Sequence, residues 1–344
     1  MKNIKPFVVL TAILFTITLL IPALLVLPFS DKASGKLGEG LSSQRHKAVT
    51  VDASQLDSAI EVAVYRMSKK HIENLPLERY VVGVVAAEMP ADFELEALKA
   101  QALTARTYIV KQMMSAEKIG VPEGADVTDS VNHQVFRDDE ELKQDWKLDY
   151  SWKLKKIQEA VLATKGQILT YEGSPIFTTF FSTSNGYTEN SEDYWQNAFP
   201  YLRSVKSPWD VEESPKFTDQ VVMTIADFEQ KLGVKLNGSE QIGQIIEKTE
   251  GNRVAKVKFD GKTLSGRDIR DKLDLKSSDF SWVRKGNHIV INTKGYGHGV
   301  GMSQYGANGM AKEGKNYEQI VKYYYQGVNI QTADQHLNTI TAKK

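Results

Sequence analysis

From Asp92 to Met113 the residues Leu95, Leu98, Ala102, Ala105, Ile109 and Met113 recur at intervals of three and four, which a helix turns into one continuous apolar stripe. Any fold containing that stripe must supply a core for it to face. Asp92, just past Pro90 and followed by Glu94 and Glu96, suits a helix start, where the macrodipole favours acidic groups. Lys99 and Arg106 stand seven residues apart, so at roughly 100° per residue they point nearly the same way and can hold a polar ligand. Ahead of the helix runs the apolar stretch Tyr80 to Ala87, and the two meet at one carboxylate, Glu88. A glutamate here is ordinarily a cap or a solvated group, but Val81, Val82, Val84 and Val85 precede this one and Met89 and Pro90 follow it. A carboxyl among apolar neighbours resists ionisation, and a raised pKa is what a general acid needs near neutral pH.

Residues 7–29 form an uncharged stretch of 23 residues behind Lys2 and Lys5. A secretory signal's apolar region is roughly 7–15 residues and a membrane span needs about 20, so the stretch reads as a retained anchor. The lysines place residues 1–6 in the cytoplasm and everything past residue 30 outside. Residues 30–54, rich in Ser, Gly and Lys, read as a tether; 55–330 as the extracytoplasmic catalytic domain; and 331–344 as a tail. With 43 basic and 43 acidic residues the formal charge is zero, so no bulk attraction toward nucleic acid exists and recognition must be local. Cysteine is absent, which removes disulfides, thiolate nucleophiles and cysteine-ligated zinc.

Within the folded part, Ala59 to Tyr65 alternates like a strand, and Ile168 to Tyr171 and Ile176 to Phe181 read as strands joined by a turn at EGSP. Residues 118–152 look irregular, and 153–164 helical. His133 has no second histidine or cysteine nearby, so no zinc is expected there. Residues 216–287 read as an inserted βα subdomain with no chemical motif. The fold class is α+β, mixed helices and short sheets around a groove. Two loops offer polar groups. The first, STSNGYTEN, carries Ser182, Ser184 and Thr188 around Gly186, hydroxyls that either bond a sugar or form an ordinary turn. The aromatic residues Tyr194, Trp195, Tyr201 and Trp209 follow it and either stack on sugar faces or fill the core. The second is a glycine-rich loop at 295–301 that leads into a helix from about Ser303 and offers His298, Gln304 and Tyr305. It lacks both nucleotide-loop patterns, so a phosphate cradle is not expected.

Three segments, EMPADFELEALKAQALTARTYIV, FFSTSNGYTENSEDYW and GYGHGVGMSQYGA, resemble the stage II sporulation protein D family, over roughly residues 55 to 330. The resemblance implies a membrane-anchored lytic transglycosylase that cuts peptidoglycan glycan strands during forespore engulfment. It also implies a preference for glycan stripped of stem peptides, a partner amidase or endopeptidase, and a membrane scaffold of the engulfment machinery. Some members hold a metal through Cys and His near position 133; this chain departs from that pattern, and no cofactor is expected.

Hydrolysis by a glycosidase needs two carboxylates roughly 5–9.5 Å apart, whereas a transglycosylase can use one. On that reading Glu88 is the catalytic residue, with Lys99, Arg106, Ser182, Ser184, Thr188, Tyr201, His298, Gln304 and Tyr305 binding the glycan. Two alternatives stay open: a hydrolytic muramidase that recruits Glu189, Glu192 or Asp193, and a glycan-binding scaffold that recruits cell-wall hydrolases. A metal-dependent amidase is disfavoured, because HExxH is missing and the six histidines are scattered.

Overall fold

A computed structural model describes residues 53–236 and 242–341. The apolar segment 7–29 and most of the tether lie outside them. Strands β1 (Glu61–Arg66) and β2 (His71–Pro76) lead into helices α1 (Leu77–Glu88) and α2 (Leu95–Met114). Strand β3 (Val127–Thr128), helices α3 (Asp139–Trp146) and α4 (Tyr150–Ala163), and strands β4 (Gln167–Tyr171), β5 (Ser174–Pro175) and β6 (Phe180–Phe181) follow. Two short helices, α5 (Ser191–Tyr194) and α6 (Trp209–Glu213), precede β7 (Thr218–Thr224), α7 (Ile225–Leu232), β8 (Gln244–Lys248), β9 (Val254–Phe259), β10 (Lys262–Ser265) and α8 (Gly266–Leu273). The chain continues through β11 (Phe280–Lys285), β12 (His288–Lys294), β13 (Met302–Ser303), α9 (Gln304–Lys312), α10 (Tyr317–Tyr324), β14 (Asn329–Thr332) and α11 (Asp334–Thr341). The mixture of helices and short sheets accords with the α+β expectation. No helix among the described residues is long and apolar enough to cross a membrane.

Helix α2 is the centre of the larger core. Leu98, Ala102, Ala105, Ile109 and Met113 of its stripe are buried, against α1, α4, α9, α10, α11 and β4. The run Tyr80 to Ala87 is helical although Val is a modest helix former. Its valines are covered on every side, and Gly83 lies so close to Phe136 that an added Cβ would stand 2.2 Å from its ring. Burial outweighs a propensity difference of a few tenths of a kcal/mol per residue. The expected turn after Tyr171 is present but shorter: it closes on Glu172 (φ 50°) and Gly173 (φ 77°), both left-handed, and Ser174–Pro175, expected within the turn, form β5 and pair back onto Thr170 and Tyr171.

Several boundaries differ from the sequence reading. Helix α2 starts at Leu95 with Glu94 at its N-cap, not at Asp92. Residues 89–94 turn first, with Phe93 N–H donating to Pro90 O, and Asn308 Oδ1 takes the Glu94 N–H. Residues 176–179 form no strand, and α4 begins at Tyr150. The span 118–152 contains α3, capped by Asp138, whose side chain accepts from Glu140 and Glu141. Residues 331–344, read as a tail, contain α11.

The segment from β7 to β12 has a core of its own. Phe228, Leu232, Val257, Ile269 and Ile291 lie at its centre, under the antiparallel sheets β11–β12–β7 and β10–β9–β8. The module therefore takes in β12, beyond residue 287.

Candidate active site around Glu88

Glu88 is the last residue of α1. The negative end of a helix is an unfavourable place for a carboxylate, and the group is mostly enclosed. Burial pushes its pKa up, and the Val135 N–H, which donates to Oε1 at 2.9 Å, partly opposes the shift. The other oxygen accepts no hydrogen bond among the described residues. The main-chain carbonyl of Glu88 accepts from Gln304 Nε2 at 3.0 Å. Val135 is held in place by its neighbours: Arg66, fully buried, bonds Glu73, Asp129, Asp138 and Glu141 and so anchors the loop on which Val135 rides.

The two polar loops meet beside this acid. Thr183 and Tyr296 exchange both main-chain hydrogen bonds, Glu189 N–H donates to Gly299 O, and β6 pairs in parallel with β13. Such close approach requires glycine. Gly295, Gly297, Gly299 and Gly301 all have positive φ, and a Cβ on Gly301 would lie 2.1 Å from Thr179 O. Ser303 caps α9, and the N–H of Tyr305 donates to Ser182 O. Tyr305 then packs edge-on against Phe93, 4.9 Å between ring centres. Glu88, Ser182, Gln304 and Tyr305 are thus brought together through residues 89–94 and α9.

Other candidates are occupied elsewhere. Arg106 is fully buried, and its guanidinium spans both oxygens of Glu78 (3.0 and 2.6 Å) and reaches Val161 O. It faces the core because α4 and β4 cover that end of α2, so it is not offered to a ligand. Lys99 points the same way but lies nearer the open end, bonded to Glu96 at 2.6 Å. Ser184 is buried on Asp210, Thr188 bonds Val205 N–H and Arg203 O, and the Tyr201 hydroxyl accepts from Phe177 N–H. These three side chains brace the loops instead of facing outward. His298 sits among Phe181, Tyr194 and Trp195 at 5.4 to 5.6 Å. Its Nδ1 accepts from Val300 N–H, and Nε2 lies 3.2 Å from Thr179 Oγ1. Burial, then the charges of Arg270 and Arg253, push its pKa down to about 3, so it is neutral at physiological pH.

Neither of two candidate second carboxylates is at liberty. Glu189 is buried against Arg253 (3.1 Å) and Thr249, and Glu192 is paired with Arg203. Asp193 lies at the surface, where partial desolvation of its carboxyl, joined by the charges of Glu192 and Glu250, raises its pKa against a hydrogen bond from Asn190. His133 bonds Thr128 at 2.8 Å, and no group of three His, Cys, Asp or Glu among the described residues could hold a metal.

Sequence reasoning missed two participants. Val135 acts through its main chain, which leaves no mark in side-chain type. Asp210 accepts from Ser184, Ser207 and Ser303 and ties both loops to α6. In its neighbourhood only Trp209 carries a signal, as an aromatic residue, and nothing in the sequence marks Asp210 itself.

The described residues define an α+β protein with one half-buried acid where two glycine-bearing loops close on a helix end. A family model described as stage II sporulation protein matches residues 65–171, which include that acid. The chain is 52% identical to stage II sporulation protein D of Bacillus subtilis (strain 168), covering 99% of this chain and 100% of that one. It is 49% identical to the protein of the same name from Bacillus amyloliquefaciens, with the same coverage. A more distant relative, the amidase enhancer of Bacillus subtilis (strain 168), is 30% identical over 72% of this chain and 40% of its own length. The chain belongs to the stage II sporulation protein D family, a family of sporulation proteins.

Proposed function

We propose that this chain is a peptidoglycan lytic transglycosylase that cleaves the glycan backbone and leaves 1,6-anhydro-muramyl ends. The observation that carries the reading is the setting of Glu88, a carboxyl whose pKa is raised by burial, with one oxygen held by Val135 and the other without a partner among the described residues. Glu88 protonates the bridging oxygen as it leaves. The resulting carboxylate then takes the proton of the muramyl 6-hydroxyl, which closes the anhydro ring. The substrate supplies its own nucleophile, so one carboxyl serves as acid and then as base. The engagement of Glu189 by Arg253 and of Glu192 by Arg203 supports this over a two-carboxylate hydrolase. Ser182, Gln304, Tyr305 and Lys99 are the proposed contacts to the sugar, and no cofactor takes part.

The apolar segment 7–29 anchors the chain in the cell membrane, with residues 1–6 cytoplasmic and the folded part outside. A partner amidase or endopeptidase supplies peptide-free glycan, and a membrane scaffold of the engulfment machinery positions the pair. A second reading, a glycan-binding scaffold that stimulates other hydrolases, is favoured by the relative named amidase enhancer. Digestion of purified peptidoglycan, with and without stem peptides, separates them. Mass spectrometry of the products is expected to find anhydro ends from the wild type and none from Glu88→Gln. Reducing ends would point to a muramidase, and no cleavage of either substrate by either protein would favour the scaffold.

A further inference from the structure

Between α3 and α4 the chain turns a sharp corner that the Glu88 chemistry does not use. Lys147 has φ 48°, a left-handed conformation unfavourable for a residue with a Cβ, and Leu148 after it is wholly exposed. Trp152, four residues further on, is 43% exposed. Its indole N–H donates to Asp149 Oδ1 at 2.9 Å, so the ring is held in one orientation with its polar edge already satisfied. The Lys153 ammonium stands between two indoles, 5.5 Å from the ring centre of Trp152 and 6.0 Å from that of Trp146.

An indole fixed among cations selects a class of ligand. Residues 143–156 hold five lysines and two acids, Asp145 and Asp149, and both acids are paired, with Arg137 and Lys153. Lys143, Lys147 and Lys155 are exposed and have no acidic partner among the described residues. In a chain without net charge, this local excess of lysine attracts anionic groups. The exposed indole suits the carbon face of a sugar, and a muramyl residue freed of its stem peptide carries a lactyl carboxylate for lysine to meet. The patch is also continuous with the Glu88 site. Lys156, on the same face of α4 as Trp152, donates to Phe93 O at 2.5 Å and to Asp92 O at 3.4 Å, in the turn that follows Glu88. The loop whose Val135 holds the Glu88 carboxyl runs on through Arg137, which bonds Asp145 of α3, next to Trp146.

We propose that Trp152, Lys153 and Lys155 form an outer subsite that holds a peptide-free glycan strand beyond the linkage cut at Glu88. The proposal rests on the glycan-cleaving reading for its ligand. Trp152 stacks on a sugar ring, and the lysines meet the lactyl carboxylates beside it. Affinity then rises with strand length, because the second contact is intramolecular once the first is made.

The test is calorimetric titration of the detergent-solubilised full chain in its Glu88→Gln form, with soluble glycan fragments of two lengths stripped of stem peptides. The titration is repeated with Trp152→Ala added, and separately with Lys153→Gln and Lys155→Gln, each variant first shown to melt with its parent. Trp152→Ala is expected to weaken the longer fragment about tenfold and to abolish its advantage over the shorter one. The lysine pair is expected to weaken the longer fragment about threefold at low salt, an effect that added salt erases. Unchanged affinity of Trp152→Ala for the longer fragment overturns the subsite, and a lysine effect indifferent to salt overturns the carboxylate contact. Phosphatidylglycerol vesicles with brominated acyl chains supply the other arm. Quenching of the Trp152 share of the fluorescence, read against Trp152→Phe, with glycan affinity unchanged, would assign the patch to lipid instead. If wild-type protein yields no anhydro ends, the cleavage reading fails, but the titration still decides the patch, because binding needs no turnover.

Discussion

The main-chain N–H of Val135 donates to Oε1 of Glu88 at 2.9 Å, across 47 residues of sequence. That bond favours the carboxylate, yet burial wins and the folded-state pKa lies above the ordinary glutamate value. A carboxyl whose folded pKa is raised contributes stability that is fully present below the unfolded pKa of about 4.3 and is lost as pH rises through the folded pKa. Glu88→Gln, which keeps an oxygen for Val135, is therefore expected to melt higher than wild type at pH 7 to 8. Calorimetry at intervals down to pH 4 should find the gap closing, and a gap independent of pH would contradict the assigned shift.

Arg106 and Glu78 form a buried, two-pronged pair that ties α2 to the start of α1, ten residues before Glu88. Removing one member leaves a buried charge alone, which costs about 3–5 kcal/mol. Arg106→Ala is expected to lose stability of that order in urea unfolding and to lose glycan cleavage with it. Lys99→Ala, whose partner Glu96 is half-exposed, should cost under about 1 kcal/mol.

At Gly306 two effects compete. Alanine is the better helix former by about 1 kcal/mol, but its Cβ would stand 2.1 Å from Tyr324 Oη and 2.4 Å from Ser207 Oγ. Both atoms belong to the hydrogen-bonded cluster around Asp210, so neither can retreat without breaking it. Gly306→Ala is expected to be destabilising by about 1–3 kcal/mol, measured by chemical denaturation. A stabilising result would show that the cluster yields.

His298 titrates near pH 3 in the folded protein and near 6.5 when unfolded. Between those values the unfolded chain binds the extra proton, so stability rises with pH and falls as the solution is acidified from about 6.5 toward 3. The expected slope from this group is about 1.4 kcal/mol per pH unit in the middle of that window. His298→Phe, packed among the same three aromatic rings, should flatten the acid limb of the stability profile over that range. Cleavage by wild type at pH 5 to 8 should show no ionisation traceable to His298.

What the sequence determined by itself was local. The three-and-four spacing of Leu98, Ala102, Ala105, Ile109 and Met113 sufficed for α2 and its core face, because side chains on one helix face share a fate. The segment EGSP marked the turn after Tyr171, though not its length, since only Glu172 and Gly173 form it and Ser174–Pro175 return as β5. The apolar neighbours of Glu88 pointed to the raised pKa. Tertiary structure alone decided the partners. Arg106 has the spacing of a ligand-binding cation but meets Glu78 and the carbonyl of Val161, 55 residues away. Ser184, Thr188 and Tyr201 have the composition of a sugar-binding loop but spend their hydroxyls on Asp210, Arg203 and Phe177. Gln304 and Val135 reach Glu88 from 216 and 47 residues away. Periodicity reports which way a side chain points along its own element, whereas the group it meets is set by how distant elements pack.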